Sequence, residues 1–313
     1  MKETTLTAAR DRIVAERRLA ALVTGASSGI GADFARLLAE RDHDIVLVAR
    51  RTGPMEELAD ELRRRHGVRA EVIGADLADP AVPAQIVDQV AELGLEIDVL
   101  VNNAGLMLDG HMLKFSWEQH ETVNRVMAIA PAELIYRFLP GMLERGWGQV
   151  INIASAAGFM PATPFNTFYG AIKNYLVVLT RTLDAEYGAA GVTFTVACPG
   201  PVKDTGIVDN TAHGAGWARL GPLLCTPRQV TSAAYNTAEA RRTVTGVDPA
   251  SRAIAALGHL LPATTFARVI AAAVMFASKE KRITSAAEAG VDTTRSIRST
   301  PTTRAKTAKT AKK

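Results

Sequence analysis

The chain has 313 residues, with 36 Lys and Arg against 32 Asp and Glu, and 48% of it is hydrophobic. That length suits one large α/β-sized domain with appendages, and the composition excludes both a wholly disordered chain and a membrane bundle. Two cysteines, Cys198 and Cys225, exclude a disulfide framework and fit a reducing cytoplasm, and no Cys or His pair stands at metal-ligand spacing.

Met1 to Arg18 reads as a charged N-terminal extension without the apolar stretch of a secretory signal, so no cleaved leader is expected. Short apolar runs then alternate with stretches of helical period, the pattern of repeated β-α units around a parallel sheet. The expected strands are Leu19 to Thr24, Asp44 to Ala49, Ala70 to Ile73, Ile97 to Val101, Gln149 to Ile153 and Val192 to Ala197, with Thr243 to Val247 as a candidate seventh. Their apolar character is continuous, as expected for strands covered on both faces by helices. Helices are expected over Gly31 to Arg41, Glu56 to Arg65, Pro83 to Leu93 and Phe168 to Tyr187. The main domain runs over 19–250.

After Gly206 the α/β rhythm loosens, and the stretch at about 206–226 reads as a mobile lid or substrate loop. A further helix starts after Thr226 and Pro227, and two apolar helices follow within 251–280. In the second, Phe266, Val269, Ile270, Ala273, Val274 and Ala277 keep helical spacing, while Met275 lies on the opposite side, so this end is apolar nearly all round. Core or subunit burial is one reading, and seating on a membrane surface or apolar substrate the other; the run Val269 to Ala277 is too short to span a bilayer. From Lys281 the chain is rich in Ala, Thr, Lys and Arg and reads as a disordered tail with nine basic residues against two acidic. That tail carries +7, leaving −3 in positions 1–280, so the overall +4 belongs to the tail. Contact with nucleic acid or anionic lipid is the alternative reading of it.

The first strand ends in Thr24-Gly25-Ala26-Ser27-Ser28-Gly29-Ile30-Gly31, directly before a helical pattern. Glycines at 25, 29 and 31 permit a tight turn and close backbone approach, so that a pyrophosphate sits on free N–H groups at the positive end of the helix. The second strand ends at Arg50-Arg51, where a carboxylate would mark a free ribose 2′-hydroxyl; two guanidinium groups point to a 2′-phosphate and hence to NADP(H) over NAD(H). Tyr169 and Lys173 stand four apart on an expected helix and project from one face, where a nearby cation favours the phenolate.

In order along the chain come the Gly-rich turn, Asp76, Asn102-Asn103-Ala104-Gly105, Asn124, Ser155, Tyr169-x-x-x-Lys173 and Pro199-Gly200. With these motifs the sequence resembles the short-chain dehydrogenase/reductase family over about Arg18 to Val247, which implies a doubly wound Rossmann-type α/β fold with a mostly parallel seven-stranded sheet. The resemblance implies Tyr169 as the catalytic acid-base, Ser155 as the hydroxyl polarising the carbonyl, Lys173 as the ribose-binding residue that lowers the Tyr pKa, and Asn124 as the holder of a relay water. It also assigns the turn from Thr24 through Ser27, Ser28, Ile30 and Gly31 to the cofactor, with Asp76 and Leu77 at adenine, Asn103, Ala104 and Gly105 along the adenosine, and Pro199, Gly200 and Val202 at the carboxamide. The implied reaction interconverts a carbonyl and an alcohol by hydride transfer, and the implied assembly is a dimer or tetramer built through the helices bearing Asn124 and Tyr169.

Two positions depart from the family. Asp204 stands where a Thr is usual, with Thr205 next, so either residue is the candidate to meet the cofactor, and Ser155 and Tyr169 are 14 apart instead of 13, the extra residue falling in Pro161 to Thr167. Ile207, Val208, Trp217, Leu220, Leu223 and Leu224 argue for an apolar or bulky carbonyl substrate of acyl-chain or steroid type. His111, His120, His213 and His259 read as surface or packing residues, and Cys198 as a buried neighbour of the cofactor with nothing basic flanking it. A catalytically silent dinucleotide-binding module with a basic tail for an acidic partner is the rival reading; the complete Ser155, Tyr169, Lys173 and Asn124 set favours the enzyme.

Overall fold

A computed structural model describes residues 2–203 and 224–277. Seven parallel strands form one sheet: β1 (Ala20–Thr24), β2 (Asp44–Ala49), β3 (Ala70–Gly74), β4 (Ile97–Asn102), β5 (Gly148–Ile153), β6 (Val192–Cys198) and β7 (Val244–Gly246). Each matches its expected range to within one residue, because a continuous run of Val, Ile, Leu and Ala that is bounded by turn residues has little alternative to a buried strand.

The strand order is β3-β2-β1-β4-β5-β6-β7. The chain winds outward from β1 in one direction and then returns to start again at β4. The crevice at the carboxyl ends of β1 and β4 is therefore the switch point where open α/β sheets bind ligands.

Alternate strand residues feed two cores. Ala21, Val23, Ile45 and Leu47 pack with Phe34 and Leu38 of α2 (Gly29–Ala39), with Met55 and Leu62 of α3 (Gly53–His66), and with Ala234 and Tyr235 of α8 (Pro227–Glu239). Leu22, Val46, Leu100 and Phe194 face the other way. They meet Ile86 of α4 (Val82–Glu92), Val123 of α5 (Trp117–Asn124), Leu134 and Met142 of α6 (Ala130–Arg145) and Ile172 of α7 (Thr167–Tyr187).

Four features depart from the expected plan. The charged N-terminal stretch is a helix, α1 (Lys2–Glu16); its Ile13 is buried, and Arg17 just after it pairs with Asp98 of β4. Between α5 and α6 the helix widens into a π turn at Arg125–Ile129, so Trp117–Arg145 is helical for 29 residues. That length and apolarity would suffice to cross a membrane, yet half of the most apolar window is buried against the sheet. Thirdly, in α10 (Ala263–Ala277), which follows α9 (Pro249–Leu260), Phe266 is buried but Val269 is exposed, so the apolar stripe is covered only in part. The side chains of Ala273, Val274, Met275 and Ala277 lie outside the described residues, as does the tail from Lys281. Lastly, Phe165 holds a left-handed φ of 66° and is buried. The segment 161–166 is loop, as expected for the stretch that holds the extra residue, and Phe165 is its left-handed position.

Candidate active site

The Gly-rich turn is fixed from β4. The Thr24 hydroxyl donates to Val101 O and accepts the N–H groups of Asn103 and Ala104 at 3.0 and 3.1 Å, while Asn103 Nδ2 donates to Thr24 O at 2.9 Å. The two strand ends on either side of the switch point are thereby bolted together. Gly25 has a φ of 67°, and a Cβ there would stand 2.9 Å from Ala104 Cα. A Cβ on Gly31 would overlap Gly25 O and come within 2.6 Å of Asn103 Nδ2. Ser28, the N-cap of α2, makes no side-chain bond to the helix. The opening N–H groups of α2 are left for an anion, so the cradle fits a dinucleotide pyrophosphate.

Arg51 reaches over the same turn, its Nη2 lying 3.2 Å from Ser27 Oγ and 3.4 Å from Ser28 Oγ. Arg50 beside it is exposed, as is Asp76 just beyond β3, whereas Leu77 is buried. Asp76 folds its carboxylate back to accept the Ala78 N–H. Gly29 and Ile30 open α2, and Gly105 continues the β4 crevice after Ala104.

The catalytic candidates converge from β5 and α7. Ser155, two residues past β5, caps a short turn, Ala156–Phe159, and its Oγ accepts the Ala157 N–H at 3.2 Å, leaving the hydroxyl hydrogen to be donated. Lys173 is buried, its Nζ donating to Ile153 O at 2.8 Å and standing 5.5 Å from the centre of the Tyr169 ring. Burial lowers the lysine pKa to about 8. Burial also raises the Tyr169 phenol, against the opposing pull of the Ser155 hydroxyl. Asn124 closes α5 where the π turn begins, and its Nδ2 donates to His120 O at 2.8 Å.

Cys198 is fully buried, and burial pushes its thiol up to about 12 even though Lys173 acts to lower it. Its flanking sequence holds no cation, but the fold brings Lys173 into range.

The loop that follows β6 has an anchor that sequence reasoning missed. Ala156 N–H donates to Pro199 O at 2.7 Å, and Gly200 N–H donates to Asp248 Oδ2 at 2.7 Å. Asp248 caps α9, accepting the Ser251 N–H on its other oxygen, and the Cys225 thiol lies 3.4 Å from Oδ2. Val202 pairs with Cys225 as an isolated parallel bridge. The signal was present as Asp248-Pro249-Ala250-Ser251, a capping box with Pro at its first helical position. Asp204, Thr205, His213, Trp217 and the rest of 204–223 lie outside the described residues, as does the His259 side chain.

A family model described as short chain dehydrogenase matches residues 19–215. Over 212 residues the chain is 33% identical to a protein named ketoacyl reductase HetN from Nostoc sp., covering 68% of this chain and 72% of that one. Among solved structures it is similar to a short-chain dehydrogenase from Sphingobium yanoikuyae in complex with NADPH, with a TM-score of 0.65 and 29% identity over 86% of this chain and 99% of the other. It is also similar to a short-chain dehydrogenase/reductase from Burkholderia phymatum in complex with NAD, with a TM-score of 0.69 and 26% identity over 78% and 93%.

Proposed function

Because the chain belongs to the short-chain dehydrogenase/reductase family, we propose that it is an NADP(H)-dependent oxidoreductase that interconverts an apolar acyl-chain or steroid-like carbonyl compound and its alcohol. The observation that carries the cofactor preference is Arg51, placed over Ser27 and Ser28 beside the cradle, where its guanidinium suits a 2′-phosphate. The bound cofactor supplies the hydride. Thr24, Gly25, Ser27, Ser28, Gly29, Ile30 and Gly31 would hold its phosphates, Arg50 and Arg51 its 2′-phosphate, Asp76 and Leu77 its adenine, and Asn103, Ala104 and Gly105 its adenosine. Pro199, Gly200, Val202 and Thr205 would meet the nicotinamide end. The likeness to a ketoacyl reductase supports the acyl-chain reading.

The proton chemistry follows from the protein groups. Burial keeps the Tyr169 phenol protonated at neutral pH, so it is a donor toward a developing alkoxide. Ser155 Oγ is held by the Ala157 N–H with its own hydrogen left to bond the same oxygen. Once the proton has left, the cation of Lys173, whose Nζ stands 5.5 Å from the centre of the Tyr169 ring, stabilises the phenolate. Ile129 and Tyr136, in and after the π turn, and Tyr175 and Val178 on α7 are exposed apolar side chains that suit a second copy of the chain in a dimer or tetramer.

Two measurements test this reading. Fluorescence titration is expected to show tighter binding of NADPH than of NADH, with the difference lost in Arg51→Ala; tighter NADH binding would overturn the cofactor preference. NADPH oxidation over ketones of graded chain length and ring count is expected to rise with apolar size. Tyr169→Phe should lower turnover by about 10²- to 10⁴-fold with NADPH binding retained. Wild-type turnover in that variant, or activity confined to small hydrophilic sugars, would sink the proposal.

A further inference from the structure

The charge of the chain is divided unevenly. From Pro249 to Lys313 there are twelve Lys and Arg against three acidic residues, and Pro249 to Ser278, the stretch of α9 and α10, holds no acidic residue at all. The first 248 residues have the opposite balance, 24 basic against 29 acidic.

In this cationic end the fold turns apolar side chains outward. Leu257 and Leu260 of α9 are 43% and 78% exposed and stand three residues apart, on one side of the helix. On α10 Val269 is 54% exposed, and Ala272, again three residues on, is exposed with it, as is Arg268. Other residues hold the pair in place. Phe266 is buried, and a Cβ on Gly258 would stand 3.3 Å from the Phe266 ring and 3.3 Å from Phe159 O. Thus α9 is seated on the turn that Ser155 caps, and the exposed leucines take no part in that seating.

Charge decides what covers such a face. A second copy docked through the same surface would bring two cationic ends together, because a two-fold interface sets each patch against itself. Nucleic acid would take up the cations and leave the leucines in water. An anionic lipid surface meets both needs, with hydrocarbon for the apolar side chains and headgroups for Lys and Arg. At 15 residues α10 is roughly 22 Å long, short of a bilayer core of about 30 Å, so its place is on the surface and not across it.

We propose that α9, α10 and the basic segment after them dock the protein on an anionic lipid membrane, with Leu257, Leu260 and Val269 entering the boundary between headgroups and acyl chains. The proposal goes beyond the carbonyl-reductase reading and stands without it. A membrane is also where an apolar acyl-chain or steroid-like compound concentrates.

The test is co-sedimentation of the full-length protein with vesicles of phosphatidylcholine alone or mixed with phosphatidylserine. Binding to the mixed vesicles is expected to be at least about tenfold tighter, and to weaken as salt is raised. Replacing Leu257, Leu260 and Val269 together by Ser should weaken binding to the mixed vesicles by at least about tenfold, with the far-ultraviolet circular dichroism unchanged. Replacing Lys306, Lys309, Lys312 and Lys313 together by Gln should weaken it by a similar factor and flatten its salt dependence. Equal binding to both kinds of vesicle, or to neither, would overturn the proposal, and so would native affinity in the triple Ser variant. Retention of duplex DNA by a protein that leaves the vesicles unbound would assign the basic segment to nucleic acid. An oligomer that dissociates in the triple Ser variant, with no vesicle binding by the native protein, would make the face a subunit interface and end the lipid assignment.

Discussion

Asp248 receives the Gly200 N–H at 2.7 Å across 48 residues of sequence, and with its second oxygen it caps α9 through Ser251. One carboxylate therefore sets both the start of a peripheral helix and the backbone of the loop that follows β6. Burial alone would raise its pKa, but the bonds from Ser251, Gly200 and Cys225 overcome this and hold it below the ordinary value. An amide has one acceptor oxygen and cannot serve both N–H groups. Asp248→Asn is expected to raise the KM for cofactor several-fold, with a smaller effect on kcat, and to cost about 1 to 3 kcal/mol of stability at pH 7.

The pH dependence of that loss has a definite sign. A carboxylate with a depressed folded pKa contributes stability above its unfolded value near 3.9, and loses the contribution as the pH falls through the folded value. The stability gap between native protein and Asp248→Asn in urea should shrink on going from pH 7 to the acid range. A gap that stays constant would show that the charge of Asp248 is not what the variant removes.

Gly31→Ala tests the cradle. The added Cβ would overlap Gly25 O and crowd Asn103 Nδ2, both fixed by the bonds around Thr24, so the turn has to open. Titration should show dinucleotide affinity reduced by at least about tenfold, the equivalent of 1.4 kcal/mol, with the far-ultraviolet circular dichroism of the fold retained. Native affinity in this variant would mean that the turn does not hold the pyrophosphate.

How much of this was legible beforehand follows from the range of each interaction. The strands were legible because buried parallel strands are written as local apolar runs, and Thr24, Gly25 and Gly31 because the turn is written in consecutive residues. Tyr169 and Lys173 were legible through their company, not their spacing. The π turn at Arg125–Ile129 was not, since it depends on how α5 and α6 seat on the sheet. Asp248 and the Lys173–Cys198 proximity were hidden for the same reason: their partners are tens of residues away, and only the order of β5, β6 and β7 brings them together.

Asp98 carries the N-terminal helix. It is fully buried, accepts both Arg17 guanidinium nitrogens at 2.6 and 3.0 Å and the Ala20 N–H at 3.0 Å, and lies 3.2 Å from Arg145 Nε. Removing the acid leaves partly buried guanidinium groups and a backbone N–H without their acceptor. Asp98→Ala should lower unfolding stability by about 3 to 5 kcal/mol, measured by urea denaturation. A loss below about 1 kcal/mol, the level of an exposed ion pair, would mean that α1 is held by its apolar face alone.

Lys173 sets stability against function. Its ammonium is buried with the Ile153 carbonyl as its hydrogen-bond partner, and burial lowers its pKa to about 8 from an ordinary value of 10.5. The unfolded chain thus binds the proton more tightly than the folded one, and unfolding takes up a proton between those two values. Stability then rises as the pH goes from about 8 to 10.5, whereas the cation that supports the Tyr169 phenolate is lost over the same range. Lys173→Met removes the charge and keeps the bulk. It should abolish turnover yet leave the protein at least as stable as the native form at pH 7. By pH 10 the native protein should have recovered roughly 1 to 3 kcal/mol relative to the variant. Urea midpoints at the two pH values give the answer, and a native advantage that is the same at both would show that desolvation does not strain the buried cation.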